Sequence, residues 1–493
     1  MTRCAFRNVM RSRTGPTPVA ATGARARARG DAVAGRLVVV GGGAAGMSAA
    51  SAARRTDPGL EIVVLEGGGY AAYGLCGLPY FMGGVVRAAD DLVAYPPSFF
   101  REKRGLDLRL NARATRLDTA ARRVYFRTVE ARNGAEPAAE DSVPYDRVIL
   151  AAGGVPTRPP ALRLADPRIF TVRAMEDAIR LRELLDAKSI ERAVIVGGGY
   201  IGLEMAETLV ESGVQVVLAE MLPGLMGTLD GPMADQVAAE VRAHGVDLRL
   251  GHAVSAVARA GDRLEVTISG PDGATAVETV DAVIVASGVR AGSDLAAEAG
   301  AATGPAGALL VDDRMRTSLP DVLAAGDCVA LHHLVLNRPA FVPLGPAANK
   351  TGRVAGTVAA GGDMRFPGIV GTAVVKVFDL AVARTGITLT EARTEGIEAV
   401  ATDATGRSRA KYYPGAEKVQ IRLVHTPDGR LLGAQLAGRG DGIAKRADVL
   451  AVALHAGFGV DDLMALDLTY APPYAPVYEP VLLAAQAAGR DGD

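Results

Sequence analysis

Cys76 lies in the stretch YAAYGLCGLPYFMGG, residues 70–84, ten residues beyond Glu66. A thiolate at such a place can attack a disulfide or hold a pair of electrons. Its neighbours are Leu75 and Gly77, and the chain has neither a CxxC nor a CxxxxC spacing. One sulfur alone cannot store an electron pair as an internal disulfide. Its redox cycle must run through a mixed disulfide with a small thiol, or through a sulfenic acid. A buried cysteine is ordinarily a packing residue, so this reading depends on what surrounds Cys76.

What surrounds it is a nucleotide-binding pattern. The run RLVVVGGGAAGMSAASAARR places a buried strand, Leu37 to Val40, directly before Gly41-x-Gly43-x-x-Gly46 and an alanine-rich helix. Glycines at this spacing permit a tight turn and let the backbone approach a pyrophosphate at the helix N-terminus. The next strand, EIVVLE, ends in Glu66, twenty residues after Gly46, where a carboxylate can hold a ribose hydroxyl pair. The same unit recurs in RAVIVGGGYIGLEMAETLVESGVQVVLAE, with Gly197, Gly199, Gly202 and the acid Glu220. Met221 and Leu222 follow Glu220, with no arginine to meet a 2′-phosphate, which favours NADH over NADPH.

Two further strands, in YDRVILAAGG and VDAVIVASGV, bracket the second unit, as expected if one domain is inserted into the other. After them, TSLPDVLAAGDCVA ends a strand at Gly326 and Asp327, whose carboxylate can accept a hydrogen bond from a polyol. The last third lacks a nucleotide motif and mixes strand-like runs with the helical GIAKRADVLAVALHAG. The predicted fold class is therefore α/β: two Rossmann-like domains, one inside the other, and a C-terminal α+β domain. The boundaries read as 35–155 with 282–360 for the outer domain, 156–281 for the inserted one, and 361–493 for the C-terminal one.

With 493 residues, 49% of them hydrophobic, the chain is long enough for several cores. A net charge of −1 gives no reason to expect a nucleic-acid partner, and no apolar run approaches the length of a membrane span. Three cysteines, Cys4, Cys76 and Cys328, cannot form a disulfide framework and fit a reducing, cytoplasmic setting. Cys328 reads as a buried small residue. Residues 1–34 carry seven arginines and one acid, Asp31, and read as a disordered extension outside the fold. No metal is expected.

From Arg36 onward the sequence resembles the pyridine nucleotide–disulfide oxidoreductases, in the single-cysteine branch that includes CoA-disulfide reductase, NADH oxidase and NADH peroxidase. CGLPY (Cys76–Tyr80), PLGPAANKTGRVAG (343–356) and LDLTYAPPYAPVYEPV (466–481) carry the likeness. It implies FAD in the first unit, with Asp327 on the flavin ribityl chain, and NADH in the second. It also implies a homodimer whose active site is shared between chains. The oxidases and peroxidases place a histidine where this chain has Ala44, which favours CoA-disulfide reductase.

In those reductases tyrosines of the partner subunit act beside the cysteine, and Tyr470 matches one, with Tyr412 and Tyr413 supplying the other. Arg55 and Asn349 match substrate contacts. Ala72, Leu75 and Tyr478 stand where the family has a serine, an asparagine and a lysine. The expected reaction is reduction of CoA disulfide, or of a CoA persulfide or polysulfide. The alternatives are an oxidase or peroxidase cycle through a sulfenic acid, electron transfer to a protein partner, and a sensor without turnover.

Overall fold

A computed structural model describes residues 35–128 and 139–490. The arginine-rich stretch 1–34, with Cys4, lies outside the described residues.

The apolar run at the first glycine motif becomes the central strand of a parallel sheet. Its order is Val322–Ala324, Arg147–Leu150, Arg36–Val40, Glu61–Leu65, Asp107–Arg109. Val38 stands opposite Val63 on one side and Val148 on the other. A strand paired on both edges and covered on both faces must be apolar throughout, and Leu37, Val38 and Val39 are fully buried. The alanine helix that follows, Ala44–Thr56, packs unusually close to Gly345–Ala359. A Cβ on Gly352 would lie 2.2 Å from the Ala45 carbonyl oxygen, and one on Gly356 would lie 2.0 Å from that of Ala49.

The second unit repeats this plan between the strands of the first, in the order Asp247–Leu250, Gln215–Glu220, Arg192–Val196, Ala282–Val285, Ile169–Thr171. Here the structure differs from the sequence reading. Ala282–Val285, assigned above to the outer domain, pairs in parallel with Arg192–Val196 and belongs to the inserted sheet. A bare apolar strand carries no mark of which of two similar sheets it will join. Each unit also carries three antiparallel strands, Ala112–Asp118, Arg123–Thr128 and Asp141–Pro144 in the first and Ala253–Ala260, Arg263–Ser269 and Thr275–Val280 in the second.

The C-terminal domain is an antiparallel sheet, ordered Ala373–Val377, Leu380–Gly386, Leu431–Gly438, Lys418–His425, Val400–Arg407. Helices Gly442–Ala456 and Pro480–Arg490 cover it. Among the described residues no helix is long and apolar enough to cross a membrane.

One buried acid fastens this domain to the second nucleotide unit. The Asp230 carboxylate accepts from the Leu389 N–H (3.1 Å), the Thr390 N–H (3.2 Å) and hydroxyl (3.0 Å), and the Gln435 amide (2.6 Å). Burial raises its pKa, but these bonds together outweigh burial and hold it below the usual carboxylate value. Asp230→Ala leaves buried donors unpaired and is expected to cost about 2–3 kcal/mol, read by chemical denaturation. Because the folded-state pKa is depressed, the contribution is present above the unfolded value near about 4. It fades as pH falls through the lower folded value, so wild type and variant converge in acid.

Candidate active site

The two glycine turns are near copies in backbone and contacts. Gly41 and Gly197 have φ of +105° and +106°, and a Cβ there would lie 2.2 Å from the Ala151 oxygen and 2.5 Å from the Ala286 oxygen. Gly46 and Gly202 let the helix sit on the turn, at 1.8 and 1.9 Å from a would-be Cβ to the oxygens of Gly41 and Gly197. The middle glycines differ: at Gly43 and at Gly199 an added Cβ would meet nothing within 4 Å. That open space at a helix N-terminus is a cradle for a pyrophosphate, so the chain fits two dinucleotides. Gly199→Val is therefore expected to leave the melting temperature within about 2 °C while weakening NADH binding. A thermal melt checks the first half of that statement, and titration of the FAD-loaded protein with NADH the second.

The acids that close each unit hold their own loops. The N–H of Gly42 donates to Glu66 Oε2 and that of Gly198 to Glu220 Oε2, both at 2.6 Å. The other oxygens accept from Gly68 (2.7 Å) and Leu222 (2.8 Å). Burial raises the Glu66 pKa against these bonds. A carboxylate has about four acceptor positions, so each acid retains capacity for a ribose.

Asp327, expected to face a polyol, pairs with the Arg173 guanidinium at 3.0 Å. Gly326 beside it, at φ +82°, leaves only 2.7 Å between a would-be Cβ and Ala45. Arg173 has no motif around it and was not foreseen. The Cys328 thiol is fully buried against the carbonyls of Leu150 (3.4 Å) and Ala325 (3.3 Å), and burial pushes it up to about 11, as suits a packing residue.

Cys76 occupies a single 3-10 turn, Leu75–Gly77, running into the short helix Leu78–Met82. On one side the segment is stitched to the first glycine turn: the Ala72 N–H donates to the Gly42 oxygen at 2.8 Å, with Ala72 held at φ +53°. On the other side it is held by the second unit, where the Thr208 hydroxyl donates to the Pro79 oxygen (3.1 Å) and Arg182 to the Phe81 oxygen (3.0 Å). Leu78, Phe81 and Met82 share a core with that unit and with Val375, Val377 and Phe378 of the C-terminal domain. The cysteine is thus wedged where all three domains meet, and it is exposed.

A helix N-terminus ordinarily favours a thiolate. Around Cys76 the reverse holds: the protein packed about the partly exposed sulfur keeps water from one side of it, and this desolvation, then Glu204 and Asp327, raise the thiol, with Arg173 only partly opposing them. The helix is five residues long, too short for its dipole to win. Glu204, on the second glycine helix, was also missed, because the glycine pattern does not say which face of the helix looks back at the sulfur.

The tyrosines sit in the C-terminal domain. The phenol of Tyr470 lies near that of Tyr412 and raises its pKa. Tyr413 turns away under the Arg409 guanidinium, 5.9 Å from its ring centroid. The two tyrosine segments are tied by the Ala410 N–H to the Pro472 oxygen (3.2 Å). Arg446 braces them from within, pairing with Glu479 and donating to the Ser408 oxygen (3.2 Å).

Asn349 accepts from the Ser48 hydroxyl at 2.8 Å. Arg55 is exposed two turns along the same helix, on the same face as Ser48. Among the described residues one group, Glu240, His244 and Asp379, has the spacing to hold a cation. Arg439 already lies between its carboxylates, 2.9 Å from Asp379 and 3.6 Å from Glu240.

Residues 35–352 match the family model described as pyridine nucleotide-disulphide oxidoreductase, and residues 372–480 match that family's dimerisation domain. The chain is 36% identical over 455 residues to the NAD(P)H coenzyme A polysulfide/persulfide reductase of Pyrococcus horikoshii, covering 92% of this chain and 98% of that one. It is 30% identical over 442 residues to the coenzyme A disulfide reductase of Staphylococcus haemolyticus, covering 89% and 96%. The solved structure of reduced Bacillus anthracis CoADR-RHD superposes with a TM-score of 0.86 at 34% identity, over 93% of this chain and 80% of that one. Two dinucleotide cradles, a lone cysteine wedged between them and a matching C-terminal domain all lead to one conclusion: the chain belongs to the FAD-dependent, NAD(P)H-using pyridine nucleotide-disulphide oxidoreductases.

Proposed function

We propose that this oxidoreductase reduces a low-molecular-weight disulfide, CoA disulfide or a CoA persulfide or polysulfide, through a mixed disulfide on Cys76. The observation that carries the reading is the place of that sulfur, exposed between two dinucleotide turns, while Cys328 is sealed in the core. Gly41, Gly43, Gly46, Glu66, Gly326 and Asp327 hold FAD. Gly197, Gly199, Gly202 and Glu220 hold NADH, and the 72% exposed Met221 beyond them offers no positive charge to a 2′-phosphate. Bound FAD supplies the passage of an electron pair from the nicotinamide to sulfur.

The Cys76 thiolate attacks one sulfur of the substrate, so that a Cys76–S bond forms and the S–S bond breaks. The leaving thiolate takes a proton from the partner subunit's Tyr470, a phenol suited to donate. Two electrons and a further proton then cleave the mixed disulfide, releasing the second thiol and returning Cys76. Tyr412 stands beside the phenol of Tyr470 in its own chain, and Tyr413 lies outside that pair. Arg55 contacts the nucleotide end of the substrate, and Asn349 is a further substrate contact. The relatives named for CoA disulfide and CoA persulfide support this substrate class.

The test is a mass spectrum of the protein as isolated, denatured without reductant, with the Cys76 peptide resolved. A CoA-sized adduct removable by NADH is the expected result. An adduct of another mass keeps the cycle and changes the thiol. A sulfenic or sulfinic sulfur moves the chain to the oxidase reading, which the NADH oxidase of Methanocaldococcus jannaschii, 31% identical, keeps open. A plain thiol under all conditions overturns the mixed-disulfide cycle.

A further inference from the structure

The cycle proposed above, on which this inference rests, needs the Cys76 sulfur held in one place, since bound flavin and substrate must both reach it. Upstream of the sulfur the chain is bonded within its own unit, the Gly74 N–H donating to the Leu92 oxygen at 2.8 Å. Downstream it changes hosts. Leu78, Phe81 and Met82 are buried in a core shared with Leu181, Leu203 and Ala206 of the inserted unit. Apolar burial holds this short helix down, but it has no direction and does not fix where on that surface the helix lies.

Two hydrogen bonds supply the direction. The Thr208 hydroxyl donates to the Pro79 oxygen at 3.1 Å, and the Arg182 guanidinium to the Phe81 oxygen at 3.0 Å. The donors stand on different helices of the inserted unit, Tyr200–Glu211 and Met175–Asp186. Thr208 is buried, and Arg182 is steadied by donating from Nε to Asp186 at 2.7 Å. Both press on the glycines that end the helix. A Cβ on Gly84 would come within 2.7 Å of Arg182 Nη1, and one on Gly83 within 3.4 Å of Thr208 Cγ2. Between Pro79 and the sulfur there is no slack: the Leu78 N–H donates to the Leu75 oxygen, and the Gly77 N–H to the Gly74 oxygen at 2.9 Å. Turn and helix move together.

We propose that Thr208 is a positioning residue for Cys76. Its bond to the Pro79 oxygen, with the Arg182 bond beside it, sets the place of the sulfur from the second nucleotide unit, not from the unit with which Cys76 is continuous in sequence. The helix Tyr200–Glu211 begins directly after the open cradle at Gly199. One rigid element therefore runs from that dinucleotide turn to the carbonyl three residues beyond the sulfur. Thr208 exchanges no proton and touches no substrate; it acts through the backbone of Pro79 alone.

The experiment reads the long-wavelength absorbance that a thiolate gives when it lies against an oxidised flavin, titrated in the FAD-loaded protein between about pH 6 and 11. In Thr208→Val a methyl takes the place of the hydroxyl, 3.1 Å from the Pro79 oxygen. That is inside the about 3.3–3.6 Å of a C–H···O contact, so the helix is pushed away. The plateau of the band is expected to fall about twofold or more, with its midpoint pH unmoved because Thr208 carries no charge. Thr208→Ser, which keeps the hydroxyl, is expected to restore the plateau, and Arg182→Met to lower it as Thr208→Val does. FAD content is expected to hold, with the melting temperature of Thr208→Val within about 4 °C of wild type. Its kcat for CoA disulfide is expected to fall about 10–100-fold at unchanged KM for NADH. A plateau unchanged in Thr208→Val or Arg182→Met, a loss that Thr208→Ser does not restore, a moved midpoint at full plateau, or a wild type without the band overturns the proposal. The band requires no turnover and no CoA, so this result and the adduct spectrum fail independently.

Discussion

Cys76→Ser loses NADH-linked reduction of CoA disulfide by roughly 10³-fold or more, the scale expected when the nucleophile of a covalent cycle is removed. A hydroxyl at this site has no adjacent base strong enough to ionise it, and it cannot form a sulfur–sulfur bond at all. FAD content and the rate at which NADH bleaches the flavin stay close to wild type, because the residues of both cradles are untouched. Stopped-flow absorbance separates the two halves of the reaction. If the variant keeps more than about a tenth of its turnover with the disulfide, the sulfur is not the nucleophile, and the chain becomes an electron-transfer module of the same fold.

Arg446→Met lowers stability by about 3–5 kcal/mol, the cost of leaving one partner of a buried ion pair behind. Both side chains are 9% exposed, and the Glu479 carboxylate also accepts from the Val481 N–H at 2.6 Å, so it cannot swing out to water without breaking the start of the last helix. Denaturation of the C-terminal domain reads this loss. Arg446 also holds the Ser408 carbonyl, two residues from Ala410 and its tie to Pro472. Freed from it, Tyr412 and Tyr470 separate, and the Tyr412 phenol titrates closer to its ordinary value by ultraviolet difference spectroscopy. A variant as stable as wild type sinks the assignment of Arg446 as the brace. A second substitution, Glu479→Gln, is expected to recover part of the loss, since it removes the stranded charge.

The glycine turns were legible because their chemistry is local. Gly41, Gly46 and Glu66 lie within one strand–turn–helix–strand unit, and spacing alone fixes their geometry. The place of Cys76, a short way beyond the first unit, was legible for the same reason. Its electrostatics were not, since Glu204 and Arg173 reach it from segments roughly a hundred residues away along the chain. The destination of the strand Ala282–Val285 was hidden because two sheets of one design offer equivalent slots. Tyr412 and Tyr470 were found through the family likeness, while the contact between them, and the ion pair beneath, depend on how the C-terminal sheet and helices close. Tyr413 was grouped with Tyr412 by adjacency, and neighbouring residues of an irregular segment need not face the same way.

The short helix that follows Cys76 is continuous in sequence with the first nucleotide unit, yet its Leu78, Phe81 and Met82 pack into the second. This limits how the enzyme could be recombined. A chimera that exchanged the inserted unit as a cassette, cut at its sequence boundaries, would leave this short helix lying on foreign side chains and displace the sulfur. A workable exchange would have to carry residues 70–84 together with the strand that bears Val375 and Val377, a graft of three separated pieces. In this architecture the natural unit of inheritance is the seam and not the domain.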